Sequence, residues 1–367
     1  MTYSYTLAYL GNKFVQWYDY MDIQKNKHHI KYGNGYNDYY KSIFKNELKN
    51  IEKNFNKTDT IFVDSEYFSE NYTQTFIDNI SSNLKCKLII IHKDCGGPIS
   101  KGNIEIFSPQ YYFFKQLSND ECKNKFNYYL LNAGKQPLRE LSKSFWNYNK
   151  NQIRYKKFLF TNGTVKPHRT VMYNFLKESN IIENTLCSYL GYYVNKEKNT
   201  DIFDESVMYL SDFDKPIYLD TTWDLGEPQS EFTPLALISN CYFDIVSCTH
   251  FKNRNTIFTS EKVFRPFLSF VFPIFVGQCG LCSLLRKLGF DLFDDIIDHG
   301  YDLENNHSNR IKKLFSEITR LNKFSNIELW KLYVENERRF LYNFNLLEEL
   351  ANRQINILKQ YNSKDII

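Results

Sequence analysis

Residues 257–267 read IFTSEKVFRPF, a segment that combines charged side chains with the start of a predicted helix. Ser260, or the threonine before it, can cap this helix, and Glu261 in the first turn suits the positive end of the helix dipole. Lys262 and Arg265 add unfavourable positive charge at the same end. An anion bound to the free N–H groups of the helix N-terminus removes this conflict. The segment therefore indicates either an anion site or a solvated lysine whose stem covers apolar surface.

A second segment, upstream, repeats this arrangement. The predicted strand 157–160 leads into a loop that contains Gly163, and Pro167 suits the first position of the helix that follows. His168 and Arg169 then lie in the first turn, again at the positive end, and a glycine loop lets backbone approach a phosphate closely. Without any ligand, the same two residues are explained as an exposed arginine and a hydrogen-bonded histidine of the core. Two such helix starts favour a ligand site, because open α/β sheets bind ligands at the carboxyl edge.

Side chains at predicted strand ends in the N-terminal half are candidates for a catalytic base. They are Asp64, Glu66, His92 and Asp94. A carboxylate or imidazole in a cleft can deprotonate a hydroxyl group. The loop 93–97 is the best neighbourhood, since its glycines permit close approach by a ligand. Each of the four is also explained as an ordinary turn residue or helix cap.

The elements that position these residues alternate between predicted strands and helices in both halves. In the first half, strands are predicted at 5–9, 60–64, 87–92 and 104–107, and helices at 38–54, 69–83 and 109–133. In the second half, strands are predicted at 157–160, 217–219, 242–247 and 273–276, and helices at 167–178, 231–239, 260–270 and 281–288. This alternation predicts an α/β fold with parallel, doubly wound sheets.

The domain organisation follows from a turn and polar stretch between the two halves. The chain of 367 residues is longer than one hydrophobic core usually supports. We expect a Rossmann-like N-terminal domain at 1–150, a second Rossmann-like domain at 151–325, and a helical tail at 326–367. The tail opens with a capping box formed by Ser325 and Glu328, and it can cross back to the first domain.

Composition narrows the class of protein. A net charge of +4 is compatible with a phosphate-bearing ligand and does not favour nucleic acid. The eight cysteines are spread along the chain, several within apolar runs, as is typical of buried thiols in the reducing cytoplasm. The N-terminus lacks the pattern of a signal peptide, and no run approaches the ~20 apolar residues of a transmembrane helix. We expect a soluble cytoplasmic protein, in the host cytoplasm if the source is viral.

The segment 259–266, with the predicted strand 273–277, resembles the TEK-type donor motif of GT-B glycosyltransferases. It is most similar to fucosyltransferase-like enzymes of bacteria and large viruses. Residues 158–176 also resemble the strand–loop–HR–helix element of such proteins. The resemblance implies the GT-B fold, in which two Rossmann-like domains face a central cleft and a long C-terminal helix follows. All matching segments lie in the C-terminal half; the N-terminal acceptor half shows none.

By this resemblance, Glu261 binds the ribose hydroxyls of a nucleoside-diphosphate sugar, and Lys262 binds its diphosphate. Arg169 and His168 also face phosphate. The other implied donor-site residues are Gly163, Thr259, Ser260 and Arg265. A GDP-sugar is the first expectation and a UDP-sugar the second, with a glycan, glycoconjugate or other hydroxyl compound as acceptor. No metal or other cofactor is implied, and the catalytic base is expected in the N-terminal domain.

One departure from the family pattern lies upstream of the TEK-like residues. The fucosyltransferase pattern often has Ser-x-Glu-Asn there, whereas this chain has Ser-Cys-Thr-His at 247–250. Fucose itself is therefore not indicated. His250 can line the donor site or serve as a structural histidine.

Other classes of function compete with this interpretation. Asp212 and Asp214 form a DxD pattern, which holds a divalent metal in GT-A glycosyltransferases. Cys279 and Cys282 form a single CxxC, but a zinc site needs four ligands. The tyrosines could also stack on bases or sugars in a non-catalytic binding protein. A dinucleotide-dependent oxidoreductase is disfavoured, because no GxGxxG follows a predicted strand.

Overall fold

The computed structural model describes residues 7–8, 60–64, 87–91, 104–107, 110–112, 136–194, 202–204, 207, 235–253 and 256–361. The chain divides into two units, one comprising Met1–Tyr128 and Arg353–Ile367 and the other Tyr129–Asn352. Each unit contains strands paired in parallel, so the fold belongs to the mixed α/β class that the sequence predicts. Strands and helices are numbered in chain order over the described residues.

The first unit contains a four-stranded sheet with the order β1-β2-β3-β4. Its strands are β1 (Leu7–Ala8), β2 (Thr60–Asp64), β3 (Lys87–Ile91) and β4 (Ile104–Phe107). β2, β3 and β4 are parallel, which confirms the strands predicted there. β1 pairs with β2 antiparallel, unlike the parallel sheet expected. Local alternation does not fix strand direction, and an antiparallel edge strand on a parallel sheet is common.

The helix predicted at 109–133 is wrong at its start, where the chain forms a short strand, β5 (Gln110–Tyr112). The helices predicted at 38–54 and 69–83 lie outside the described residues, as does the strand predicted at 217–219.

The second unit contains a four-stranded sheet that is parallel throughout, with the order β10-β8-β6-β7. The strands of this unit are β6 (Lys156–Val165), β7 (Thr185–Val194), β8 (Cys241–Ser247), β9 (Thr256–Phe258) and β10 (Phe272–Val276). Every residue of β8 and β10 is buried. Near-continuous apolar runs of this kind are typical of strands covered on both faces. The predictions at 242–247 and 273–276 are confirmed, β6 is longer than predicted, and β7 was not predicted.

The helices are α1 (Gln136–Asn149), α2 (Pro167–Glu178), α3 (Leu235–Ile238), α4 (Glu261–Ser269), α5 (Leu281–Lys287), α6 (His307–Asn322), α7 (Asn326–Glu335) and α8 (Glu337–Tyr361). α2 has the predicted bounds, and α4 and α5 lie within a residue of theirs. α1 and α6 were not predicted. No helix in the described part of the chain has the length and apolar character to cross a membrane.

Aromatic packing joins α1 to α4 and joins α4 to the second sheet. Trp146 of α1 stacks on Phe270, which ends α4, with ring centroids 4.4 Å apart. Phe267 of α4 lies 6.3 Å from Phe275 of β10. Ser142 of α1 donates to the Leu268 carbonyl. The body of α4 is therefore fixed against the sheet, and its first turn has a defined position.

Candidate functional site

The adjacent strands β6 and β8 separate near their carboxyl ends. Their pairing stops where Leu159 faces Asp244. β6 continues with β7 as far as Val165, while β8 continues with β10 as far as Ser247. β6 comes first in the chain, with β7 on one side of it and β8 on the other, so the strand order reverses here. Ligands of open α/β sheets bind in the crevice at such a point.

Arg265 of α4 contacts both strands near the point where they separate. Its Nε and Nη2 donate to the two carboxylate oxygens of Asp244 at 2.8 and 2.6 Å, and its Nη1 donates to Thr161 Oγ1 at 2.9 Å. The two charged side chains are 3% and 0% exposed. Burial raises the pKa of Asp244, and the charge of Arg265 opposes that effect. The sequence suggested that Arg265 contacts the donor, but its guanidinium instead holds α4 against β8 and β6.

The start of α4 carries the charged residues of the TEK-like segment. Ser260 is the N-cap in an extended conformation, and Glu261 is the first helical residue. Glu261 Oε1 lies 2.5 Å from Lys262 Nζ, with side chains 12% and 26% exposed. Thr259 is fully buried. The first turn of α4 therefore presents a carboxylate and an ammonium group that are partly accessible and paired with each other.

The start of α2 differs from its prediction in one respect. β6 runs past Gly163, which lies inside the strand next to a shift in the β7 register between Asn162 and Thr164. The expected glycine loop is wrong, because pairing with the distant β7 prolongs the strand. Pro167 is the first residue of α2, as predicted, after Lys166 in an extended conformation.

Three nitrogen-bearing side chains at the start of α2 hold main-chain carbonyls that follow β8. Lys166 Nζ donates to the Thr249 oxygen at 2.7 Å, and Arg169 Nη2 donates to the Cys248 oxygen at 3.2 Å. His168 Nε2 lies 3.0 Å from the same Cys248 oxygen. Because a carbonyl oxygen only accepts, Nε2 carries the proton. These contacts fix the segment after β8 against α2.

His168 has the character of a hydrogen-bonded core histidine. It is 2% exposed, and its ring stacks on Phe251 at 5.4 Å. Burial, followed by the charge of Arg169, lowers its pKa well below 6.5, so the ring is neutral at pH 7. A neutral imidazole brings no positive charge to a phosphate. His168 therefore serves to position the neighbouring backbone.

The starts of α2 and α4 meet around Cys248. Burial lowers the pKa of Arg169, and the Glu261 carboxylate is among the groups that raise it. Burial raises the pKa of the Cys248 thiol to about 12, while Arg169 and Lys262 act in the opposite direction. Such mutual influence requires proximity, since Coulomb interactions weaken with distance. The two segments predicted from sequence therefore lie near each other at the carboxyl ends of β6 and β8, where they form a candidate site.

The helices at this site begin without the caps found on their neighbours. Asn306 caps α6, Ser325 caps α7, and the carboxylate of Asp302 accepts from two N–H groups at the start of α5. The N-cap residues of α2 and α4, Lys166 and Ser260, make no such bond. Free N–H groups at a helix start attract anions.

Three polar side chains at the same edge have buried atoms without a hydrogen-bond partner in the described part of the chain. Asn162, Ser247 and Ser260 are 3%, 1% and 2% exposed, and the atoms concerned are Asn162 Nδ2 and Oδ1 and the two serine Oγ atoms. An unsatisfied buried polar group costs about 1–3 kcal/mol, so each calls for water or a ligand. Sequence reasoning missed Asn162 and Ser247. The available signal was a polar residue at the end of an apolar strand.

The remaining predicted residues are placed as follows. His250 is partly buried, edge-on to Phe258 at 5.5 Å, and it contributes to the lowered pKa of His168. Asp64 ends β2, at the carboxyl edge of the first sheet. Glu66, His92, Asp94, Asp212 and Asp214 lie outside the described residues. In the part that is described, no three His, Cys, Asp or Glu side chains are arranged to hold a metal, and Cys279 and Cys282 are free thiols.

Comparison with known proteins returns no relative of this chain. No model of a protein family matches it, nor does any curated protein or any solved structure. Its function is therefore inferred from the geometry of the site and from the motif found in the sequence.

Proposed function

We propose that the chain is a glycosyltransferase that binds a nucleoside-diphosphate sugar at the carboxyl ends of β6 and β8. The observation that carries the proposal is the convergence of the starts of α2 and α4 on the point where these strands part. The start of α4 offers N–H groups that no side chain caps, and both helix starts offer partial positive charge to a diphosphate. The resemblance of residues 259–266 to the TEK-type donor motif assigns the same place to the donor.

The paired Glu261 and Lys262 are suited to exchange partners when a donor binds. Their side chains are partly exposed, so replacing the carboxylate next to Lys262 with a phosphate requires little desolvation. Lys262 then donates to the diphosphate, and Glu261 accepts from the ribose hydroxyls. Arg169 lies deeper, and its charge acts on the phosphates through the low-dielectric interior.

The reaction breaks the bond between the anomeric carbon of the sugar and the terminal phosphate oxygen of the nucleotide. The departing nucleoside diphosphate gains negative charge, which Lys262, Arg169 and the two helix starts stabilise. The acceptor hydroxyl forms the new bond to carbon and loses its proton to a base. We assign the base to the first unit, where Asp64, Glu66, His92 and Asp94 are the candidates.

The proposal includes the GT-B arrangement, with the donor held by the Tyr129–Asn352 unit and a glycan or other hydroxyl acceptor held by the first unit. A GDP-sugar is the first candidate donor and a UDP-sugar the second. We propose chemistry that does not depend on a metal. A metal-dependent transferase that uses Asp212 and Asp214, and a non-catalytic binding protein, are the alternatives that the experiment below separates.

The experiment is a thermal-shift screen of the full chain with GDP, UDP, CDP, ADP and their sugars, with and without EDTA. A nucleotide at 100 times its dissociation constant stabilises the fold by about 2.7 kcal/mol, a shift of a few degrees. We expect one nucleotide to be selected, EDTA to have no effect, and Lys262→Ala to abolish the shift. Lys313→Ala is the matched control, because Lys313 also pairs with a glutamate, at 3.0 Å, on an exposed surface.

Each outcome has a distinct meaning. A shift that disappears with EDTA supports the metal-dependent alternative. A shift retained in Lys262→Ala places the nucleotide elsewhere and contradicts the assigned donor site. Binding without transfer to any acceptor in a glycan panel supports a binding protein, and the absence of any shift removes the main support for a glycosyltransferase.

A further inference from the structure

Asn162 is a buried amide whose hydrogen-bonding capacity is unused. It is 3% exposed, and neither Nδ2 nor Oδ1 has a partner in the described part of the chain. Asn343 shows how the same fold satisfies a buried asparagine: its Oδ1 accepts from the Asp291 N–H at 2.8 Å, and its Nδ2 donates to the Asp291 oxygen at 2.7 Å.

The position of Asn162 places it at the proposed donor site. It lies beyond Leu159, the last residue of β6 that pairs with β8. On its other side it faces Tyr189 of β7, whose hydroxyl is 2.8 Å from Thr170 Oγ1 in the first turn of α2. Arg169 in that turn also interacts electrostatically with Tyr189. Asn162 is therefore beside the start of α2, on the crevice side of the parting strands.

The chemistry of an amide restricts what can complete it. Phosphate oxygens accept hydrogen bonds, so a diphosphate can satisfy Nδ2 and the hydroxyls of Ser247 and Ser260. The ionised oxygens of the diphosphate cannot satisfy Oδ1, which needs a donor. The donor must come from a different part of the ligand, such as a ribose or sugar hydroxyl or an N–H group of a base.

We propose that Asn162 is a contact residue of this site that selects hydroxyl-bearing diphosphates, namely nucleoside diphosphates and their sugars, over inorganic diphosphate. This inference rests on the proposed donor site. Nδ2 and Oδ1 engage the ligand together, one as a donor and the other as an acceptor. A site built to pair both groups discriminates strongly against a ligand that lacks one of them.

The test measures binding of inorganic diphosphate, GDP and UDP to the full chain by isothermal titration calorimetry. Asn162→Leu keeps the approximate shape of the side chain and removes both polar atoms. We expect it to weaken binding of the preferred nucleoside diphosphate by roughly tenfold to a hundredfold, through lost hydrogen bonds and an unpaired ligand group. Binding of inorganic diphosphate, which loses only the hydrogen bond from Nδ2, should weaken several-fold less than binding of the nucleotide. Asn162→Ala should show the same selective loss.

Thermal unfolding without ligand supplies a second readout. Asn162→Leu should leave the transition temperature unchanged or raise it, since it replaces an unsatisfied polar group with an apolar one. The matched control, Asn343→Leu, should lower it, because it leaves the Asp291 backbone groups unpaired. A loss of stability in Asn162→Leu equal to that in Asn343→Leu overturns the inference, since it means that the protein itself satisfies the amide.

The binding data separate failure of this inference from failure of the donor site. One outcome is that inorganic diphosphate binds in a manner that depends on Lys262 while Asn162→Leu leaves the affinity for every ligand unchanged. In that case the donor site stands and the role of Asn162 is refuted. Equal weakening of inorganic diphosphate and nucleotide also refutes it. If the wild-type chain binds neither ligand, the donor site itself is refuted.

Discussion

Arg265 and Asp244 form a doubly hydrogen-bonded ion pair, with Nε–Oδ2 and Nη2–Oδ1 distances of 2.8 and 2.6 Å. The pair joins the middle of α4 to β8, and the third nitrogen of Arg265 reaches Thr161 of β6. It therefore sets the spacing between the strands at the point where they stop pairing. The first turn of α4, with Glu261 and Lys262, is positioned through it.

Removing one partner of this pair should be costly. Asp244→Ala leaves an uncompensated guanidinium in the interior and should lower the free energy of unfolding by about 3–5 kcal/mol, measured by urea denaturation. Replacing both partners, as in Asp244→Leu with Arg265→Met, should recover most of that loss. Lys313→Ala, in an exposed pair, should cost less than about 1 kcal/mol. A loss below 1 kcal/mol in Asp244→Ala contradicts the structural role of the pair.

His168 should make stability depend on pH. Its folded pKa lies well below 6.5, so the unfolded chain binds the proton more readily. Its contribution is fully present above about pH 6.5 and is lost as the pH falls below that value, by up to about 1.4 kcal/mol per pH unit. His168→Gln should flatten the slope between pH 6.5 and 5 in urea titrations. An identical slope in both proteins would show that His168 binds its proton as readily in the folded state as in the unfolded state, and would contradict the lowered pKa.

The serine caps of α4 and α7 should respond differently to substitution. Ser325 Oγ accepts from the Glu328 N–H at 3.2 Å, so Ser325→Ala should lower the free energy of unfolding by about 1 kcal/mol. Ser260 makes no cap bond, so Ser260→Ala should change it by less than about 0.5 kcal/mol. With a nucleoside diphosphate bound, Ser260→Ala should instead reduce affinity. Equal costs in the ligand-free protein would mean that Ser260 caps α4 after all.

Asp302 should stabilise α5 from outside the helix. Its carboxylate accepts from the N–H groups of Cys282 and Ser283 at 3.0 and 3.1 Å, where it also meets the positive end of the helix dipole. Asp302→Ala should lower the free energy of unfolding by about 1–3 kcal/mol. Asp302→Asn keeps one acceptor and should cost less. The comparison uses urea denaturation of the three proteins, and equal stability of all three would refute the cap.

The sequence predicted a structural feature correctly where the residues that determine it lie within one helix or strand. Pro167, followed by the apolar residues of its helix, predicted the bounds of α2, and the spacing of Ser325 and Glu328 predicted the start of α7. Features that depend on distant partners were missed. Gly163 lies in a strand because β7 pairs with it, and β7 itself was not predicted.

The candidate site shows the same division. The two charged helix starts were visible in the sequence because each is a short continuous segment. That Arg265 faces inward to Asp244 depends on how α4 packs on β8, which local spacing does not encode. The unused amide of Asn162 is likewise a property of its surroundings in the fold.

The contacts of Lys166, His168 and Arg169 are made to main-chain oxygens of residues 247–249. A carbonyl oxygen is present whichever side chain the residue carries, so the segment keeps its anchorage when its sequence changes. The partly buried side chains of Thr249 and His250 can therefore change without loss of these contacts, whereas packing restricts the buried Cys248. At the proposed donor site, substitutions at these two positions would change the groups offered to a ligand on an unchanged scaffold.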